Sequence, residues 1–134
     1  MANPMETFRL PENFVPQNES VILSDVADEY QLTPEQRALL YSIRRQENGG
    51  PGREMGVLNA EAERFKGNFP ESLKTQAKWA AGTIRKRYTG DLAGFGKRWA
   101  PRGVSNDPTD LNKNWVPGVE KFMSELYYPE GYGQ

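Results

Sequence analysis

The chain has 134 residues, 37% hydrophobic and 26% charged, with a net charge of −1; this is room for one domain with a small core. It contains no Cys and no His, which excludes disulfide frameworks, thiol nucleophiles, Cys/His zinc sites and every Ser-His-Asp or Cys-His arrangement. Acid–base chemistry near neutral pH then falls to a carboxylate, a Lys or a Tyr of shifted pKa, and neither a metal nor a cofactor is expected.

The charge is unevenly spread. Residues 1–35 hold seven acids and one base, whereas residues 74–102 hold eight bases and only Asp91 as an acid. Such a split describes two solvated faces, or an acidic arm that docks on a partner and a basic face that meets an anionic polymer. The near-neutral total gives no cationic bias toward nucleic acid, so no nucleic-acid partner is expected. The first residues, MANPMETFRLPENF, have no basic region followed by an apolar run and are not expected to form a secretory signal. No apolar stretch approaches the length of a membrane span.

In chain order, residues 1–32 are expected to form an extended arm, broken by Pro4, Pro11 and Pro16, with Val21-Ile22-Leu23 as its short apolar run. Thr33-Pro34-Glu35-Gln36 then carries a capping-box pattern, with Thr at the N-cap, Pro at the first helical position and Gln two places on. This predicts a helix to Glu47, stopped by Asn48-Gly49-Gly50-Pro51. A Gly-rich connection over 48–69 contains Met55-Gly56-Val57-Leu58. Pro70 opens a second long helix through Tyr88, with Leu73, Ala77, Ala81, Ile84 and Tyr88 at helical spacing. The small residues Ala80, Ala81 and Gly82 predict close approach of another element. A short helix over 91–100 carries Leu92, Phe95 and Trp99. A polar loop follows, then a last helix capped by Asn114, with Pro117 tolerated in its first turn. The tail YYPEGYGQ has no helical pattern, and there are no internal repeats.

Glu47 stands out by position. Gln36, Leu40, Ile43 and Glu47 fall on one stripe of the first long helix. That stripe faces the core, so its last member is a carboxyl at the rim of an apolar surface. Desolvation there, and the partial negative charge of a helix C-terminus, both raise a carboxyl pKa. A protonated carboxyl can donate to a leaving oxygen, the step that glycosidic cleavage needs. The alternative is a solvated glutamate neutralised by Arg44 or Arg45.

Glu47-Asn48-Gly49-Gly50 followed by Met55-Gly56-Val57-Leu58-Asn59 resembles the lysozyme superfamily, in which a catalytic Glu at a helix end precedes a Gly-apolar-apolar-polar strand lining the sugar cleft. Gln76-Ala77-Lys78-Trp79-Ala80-Ala81, Ile84, Tyr88, Lys97-Arg98-Trp99-Ala100-Pro101, Asn106-Asp107-Pro108 and Asn112-Lys113-Asn114-Trp115 are similar, in that order, to its glucosaminidase branch. The segment between Glu47 and Gly56-Val57 is shorter than most members have, and Trp99-Ala100 stands where the branch carries Tyr-Ala.

The resemblance implies a mainly α fold: a small lysozyme-like helical domain over 33–126 with a minimal β-lobe, flanked by an extended arm over 1–32 and a tail over 127–134. It implies cleavage of peptidoglycan glycan strands with Glu47 as general acid and base, by a glycosidase or a lytic transglycosylase. Gly56, Val57, Asn59, Tyr88, Trp99, Asn106 and Trp115 are the expected sugar-binding residues. No second carboxylate is evident, Glu54, Glu61 and Glu63 being candidates by proximity alone. A single Glu suits substrate assistance by the sugar's N-acetyl oxygen, or attack by the sugar's own 6-hydroxyl to give an anhydro product. An enzyme of the cell wall without its own export signal is expected in a phage particle, at the tail, contacting other virion proteins through the 1–32 arm and the C-terminal tail. The rival readings are a tail plug or tip protein that keeps the fold with weak or no activity, and a helical nucleic-acid adaptor, which the overall charge disfavours.

Overall fold

The computed structural model describes residues 7–57, 60–65, 67–101 and 111–128. Among them are five α-helices: α1 (Gln17–Glu29), α2 (Pro34–Glu47), α3 (Phe69–Arg87), α4 (Leu92–Trp99) and α5 (Trp115–Leu126). Short 3-10 turns at Ala60–Phe65 and Leu111–Asn114 precede α3 and α5. Two strands, β1 (Thr7–Phe8) and β2 (Tyr127–Tyr128), pair antiparallel with Thr7 opposite Tyr128 and Phe8 opposite Tyr127. The protein is mainly α, as its sequence predicts.

α2 forms where its caps dictate. The Thr33 hydroxyl accepts from Gln36 N at 3.2 Å, and the Gln36 side chain accepts from Thr33 N at 3.0 Å. At the other end Asn48 turns left-handed at φ 44° and donates its N–H to Arg44 O. Every residue from Ala38 to Arg44 is buried, so α2 is enclosed rather than half-exposed. α1, α3 and α5 all pack against it.

The expected extended arm over 1–32 is corrected by α1. Pro16 opens the helix, and its carbonyl accepts from Glu19 N and Ser20 N. Leu23, Val26 and Ala27 are fully buried, an i, i+3, i+4 set facing the core. α1 lies along α3, whose Ala77, Ala80 and Ala81 are all fully buried and leave room for a close neighbour. Thirteen residues are marginal as a free helix, and packing on this small-residue face supplies what local propensity does not. The residues before α1 are held as well: Phe14 is buried, and Phe8 packs on Tyr41 with ring centroids 5.3 Å apart.

The β-structure also differs from expectation. The strands join the two ends of the described chain instead of forming a lobe after Glu47, and Gly56-Val57 is not a strand. The expected Asn114 cap makes no side-chain bond; α5 continues from the 3-10 turn before it, which leaves no extended cap residue. No described helix is long and apolar enough to cross a membrane.

Candidate active site

Glu47 ends α2 with its carboxyl held by two indoles. Trp115 Nε1 donates to Glu47 Oε2 at 2.8 Å, and Trp99 Nε1 donates to the same oxygen at 3.2 Å. The indoles come from different helices: Trp99 closes α4, and Trp115 opens α5. α4 packs on α5 at Gly96, where a Cβ would press on the Trp115 ring at 3.2 Å. Phe95 continues the aromatic group, nearly parallel to Trp99 at 5.6 Å and tilted to Trp115 at 6.2 Å.

Burial pushes the Glu47 carboxyl above the ordinary glutamate value of 4.5, and the bonds from Trp115 and Trp99 oppose that shift without cancelling it. Neither neighbouring arginine neutralises it. Arg44 Nε pairs with Glu19 at 2.7 Å, and Arg44 Nη1 donates to Glu54 O at 2.8 Å. Arg45 lies between the Phe14 and Phe122 rings, 4.7 and 4.8 Å from their centroids. Both indoles occupy Oε2, and Oε1 has no hydrogen-bond partner among the described residues. The protonated acid therefore carries its hydrogen on Oε1.

Gly56 lies against this carboxyl at φ +76°, and a Cβ there would fall 2.6 Å from Oε1. The position thus demands glycine on two counts, backbone conformation and space. Gly56 and Val57, with Trp79, Thr83, Arg98 and Trp99, line a pocket of about 220 Å³. A larger groove of about 720 Å³ shares Thr83, Arg98 and Trp99 with it and runs on between the end of α3 and α4. Glu47 is not itself a wall residue of either; its carboxyl sits behind the Gly56–Trp99 edge.

Gln76 positions the Gly56 turn. This α3 residue is 1% exposed, and its Oε1 accepts from Met55 N at 3.1 Å and Val57 N at 3.2 Å. Its Nε2 donates to Gly52 O and Val57 O, both at 3.1 Å. One side chain thus satisfies the backbone of 52–57 as a neighbouring strand would, which is why no strand is needed there. Glu54 completes the tether. It is fully buried, accepting from Ser72 Oγ at 2.8 Å and from Gly52 N at 3.3 Å. That assigns Glu54 a structural role and removes it as a second catalytic carboxylate.

Of the expected sugar-binding residues, Gly56, Val57 and Trp99 are brought together beside Glu47. Trp115 joins them through its N–H, but it is 4% exposed and offers no ring face to a ligand. Tyr88 does not join them. Its hydroxyl donates to the Glu35 carboxylate at the opposite end of α2, about 18 Å along the axis at about 1.5 Å per residue. Its ring meets the edge of Phe95. Asn59, Asn106 and the side chains of Glu61 and Glu63 lie outside the described residues. Trp79, Thr83 and Arg98 are pocket residues that the sequence reading did not select. Gln76 had a signal, being a polar residue on the same stripe as Leu73, Ala77, Ala80 and Ile84; a polar group on an apolar stripe marks a buried bonding network.

No family model matches the chain, and no curated protein or solved structure is significantly similar to it. The chemistry of the site therefore rests on its own geometry.

Gly56→Ala tests the contact with the acid. The new methyl meets the Glu47 carboxyl inside van der Waals distance, at a backbone conformation L residues rarely adopt. The expected result is a lower melting temperature, and Trp fluorescence altered by displacement of the carboxyl from the indoles. Gly50→Ala, where a Cβ meets nothing within 4 Å, serves as the control.

Proposed function

We propose that the protein cleaves peptidoglycan glycan strands, with Glu47 as general acid and then base. The observation that carries this reading is the desolvated Glu47 carboxyl, anchored through Oε2 by two indoles and lying with Oε1 against Gly56, a residue of the pocket wall. In the first step the Oε1 hydrogen passes to the glycosidic oxygen, the bond from that oxygen to the anomeric carbon breaks, and the sugar's N-acetyl oxygen closes on the anomeric carbon. In the second, the Glu47 carboxylate takes a proton from water, or from the sugar's 6-hydroxyl, as that oxygen attacks the same carbon, breaking its bond to the N-acetyl oxygen and restoring the acetamide. The first nucleophile leaves a reducing end and the second an anhydro sugar. Among the described residues no second carboxylate lines the pocket, which favours this substrate-assisted route over one needing a protein nucleophile.

The lysozyme-like order of motifs supports the same reading, and the setting proposed with it is a phage particle acting on the bacterial wall. An arm reaching out to tail proteins is not part of the proposal, because residues 7–32 are built into the fold; contacts with virion partners would use its outer surface. Purified peptidoglycan incubated with the protein and analysed by mass spectrometry is expected to show new ends at one sugar. Their reducing or anhydro form identifies the second step. Strands left intact after long incubation would point instead to a structural tail protein with this fold.

The pH profile offers a second check. A general acid works only while protonated, so activity falls as pH rises through the raised Glu47 value. The indole bonds lower that value. Trp99→Phe removes one of them, and the alkaline limb of the rate profile is expected to move to higher pH. A limb that stays fixed would dissociate the profile from Glu47.

A further inference from the structure

The groove beyond the pocket is the larger cavity, about 720 Å³, within the range of about 300–1,000 Å³ typical of ligand clefts. Four cations line it: Lys86 and Arg87 from the last turn of α3, and Lys97 and Arg98 from the last turn of α4. Among the described residues its one acid is Asp91, which is engaged as the α4 N-cap and accepts from Gly94 N at 3.0 Å. None of the four cations has an ion-pair partner among the described residues, whereas Arg37, Arg44 and Lys78 each have one. Favourable placement at a helix C-terminus accounts for cations on each helix separately. It does not account for two helix ends converging on one cavity, where four exposed like charges raise the local positive potential and attract an anion.

The wall beside these charges includes the ring of half-buried Trp99, backed by the buried Phe95 with the two planes 19° apart. Such a surface suits the face of a sugar ring. The groove is continuous with the pocket at Gly56 through Thr83, Arg98 and Trp99, and among the described residues Arg98 is the only charged one lining that pocket. One strand lying through both would meet an almost neutral stretch beside Glu47 and a cationic stretch beyond it.

We propose that the α3–α4 groove is an anion-binding extension of the site, which holds carboxylate or phosphate groups of an acidic glycan polymer whose uncharged part lies in the pocket at Gly56. The glycan part of this assignment rests on the cleavage reading above; the anion binding does not. The groove thus selects acidic over neutral strands of the same sugar backbone.

Binding to the Glu47→Gln protein, which cannot turn over the ligand, separates the two. Four probes are compared by calorimetry: peptide-free glycan strands bearing lactyl carboxylates, a chitin oligomer phosphorylated on its 6-hydroxyls, neutral chitohexaose and a single-stranded DNA oligonucleotide. At low salt one of the two acidic polymers is expected to bind about tenfold or more tighter than chitohexaose, and to lose that margin as salt rises. Which polymer it is distinguishes a carboxylate from a phosphate source. Lys86→Gln/Arg87→Gln/Lys97→Gln, all exposed positions, is expected to erase the margin while melting like the parent and binding chitohexaose unchanged. Equal affinity for acidic and neutral strands, a margin indifferent to salt, or a triple variant that keeps it overturns the proposal. So does DNA bound more tightly than either acidic polymer, which would make the groove a nucleic-acid site. Tight acidic-strand binding with no cleavage by the unmutated protein sinks the catalytic reading and supports the groove.

Discussion

Glu47→Gln is expected to lower glycan cleavage by about 10²–10⁴-fold, the usual contribution of a positioned general acid, in a protein that stays folded. Glutamine has the same shape and keeps a carbonyl oxygen for the Trp99 and Trp115 N–H groups, so the anchoring survives while the transferable proton is lost. The same substitution reports on desolvation through stability. A carboxyl whose folded pKa lies above its unfolded value contributes fully below the unfolded value of 4.5 and loses that contribution as pH rises through the folded one. The variant, which has no charge to bury, should therefore gain on the parent in melting temperature between about pH 4 and about pH 7. Calorimetry at both pH values reads this directly. A difference that stays constant with pH would show that Glu47 is not held in a desolvated place, and loss of cleavage would then need another cause.

Arg44→Ala is expected to cost about 3–5 kcal/mol of folding free energy, the range for breaking a buried ion pair from one side. The Arg44 and Glu19 side chains are 8% and 12% exposed, so the glutamate left behind is a nearly buried unpaired charge. The carbonyls of Gly49 and Glu54, which Arg44 Nη1 also serves, are orphaned with it. Arg37→Ala is the contrasting case. Its partner Asp28 is 68% exposed, and such pairs contribute about 0–1 kcal/mol. Urea unfolding of the two variants should show a clear drop in midpoint for Arg44 and little for Arg37. Similar midpoints would mean that α1 is held chiefly by its apolar face and that the buried pair is replaceable.

These two residues show where the sequence was informative and where it was not. α2 was legible because its signals are local: Thr33, Pro34 and Gln36 at one end, and Asn48 with two glycines at the other. Glu47 was legible because helical geometry alone places it on the stripe of Leu40 and Ile43. α1 was masked by three prolines in the same stretch and by the lack of a capping side chain. Its Leu23-Val26-Ala27 pattern is short, and its stability is drawn from the alanine face of α3, which lies some fifty residues further along the chain. The indole clamp was not legible as a clamp. Trp99 and Trp115 are 52 and 68 positions from Glu47, and no spacing rule links them to it. The strand at Gly56-Val57 was implied by the resemblance alone, whereas the hydrogen bonds of the turn at 52–57 go to Gln76, a partner that no local pattern reveals.

The antiparallel pair of Thr7–Phe8 with Tyr127–Tyr128 has a consequence for how the molecule assembles. The contact closes a loop of nearly the whole described chain, and Arg9 N adds a bond to Leu126 O at 2.9 Å. During synthesis β1 can pack on Tyr41 of α2 but has no strand partner until the residues after α5 have left the ribosome. Helices α2 to α4 can form early, but the clasp that fixes both ends is a late, long-range step of the kind that slows folding. A chain cut short before Tyr127 should fold with the segment Thr7–Arg9 loosened, more open to proteases than in the uncut chain.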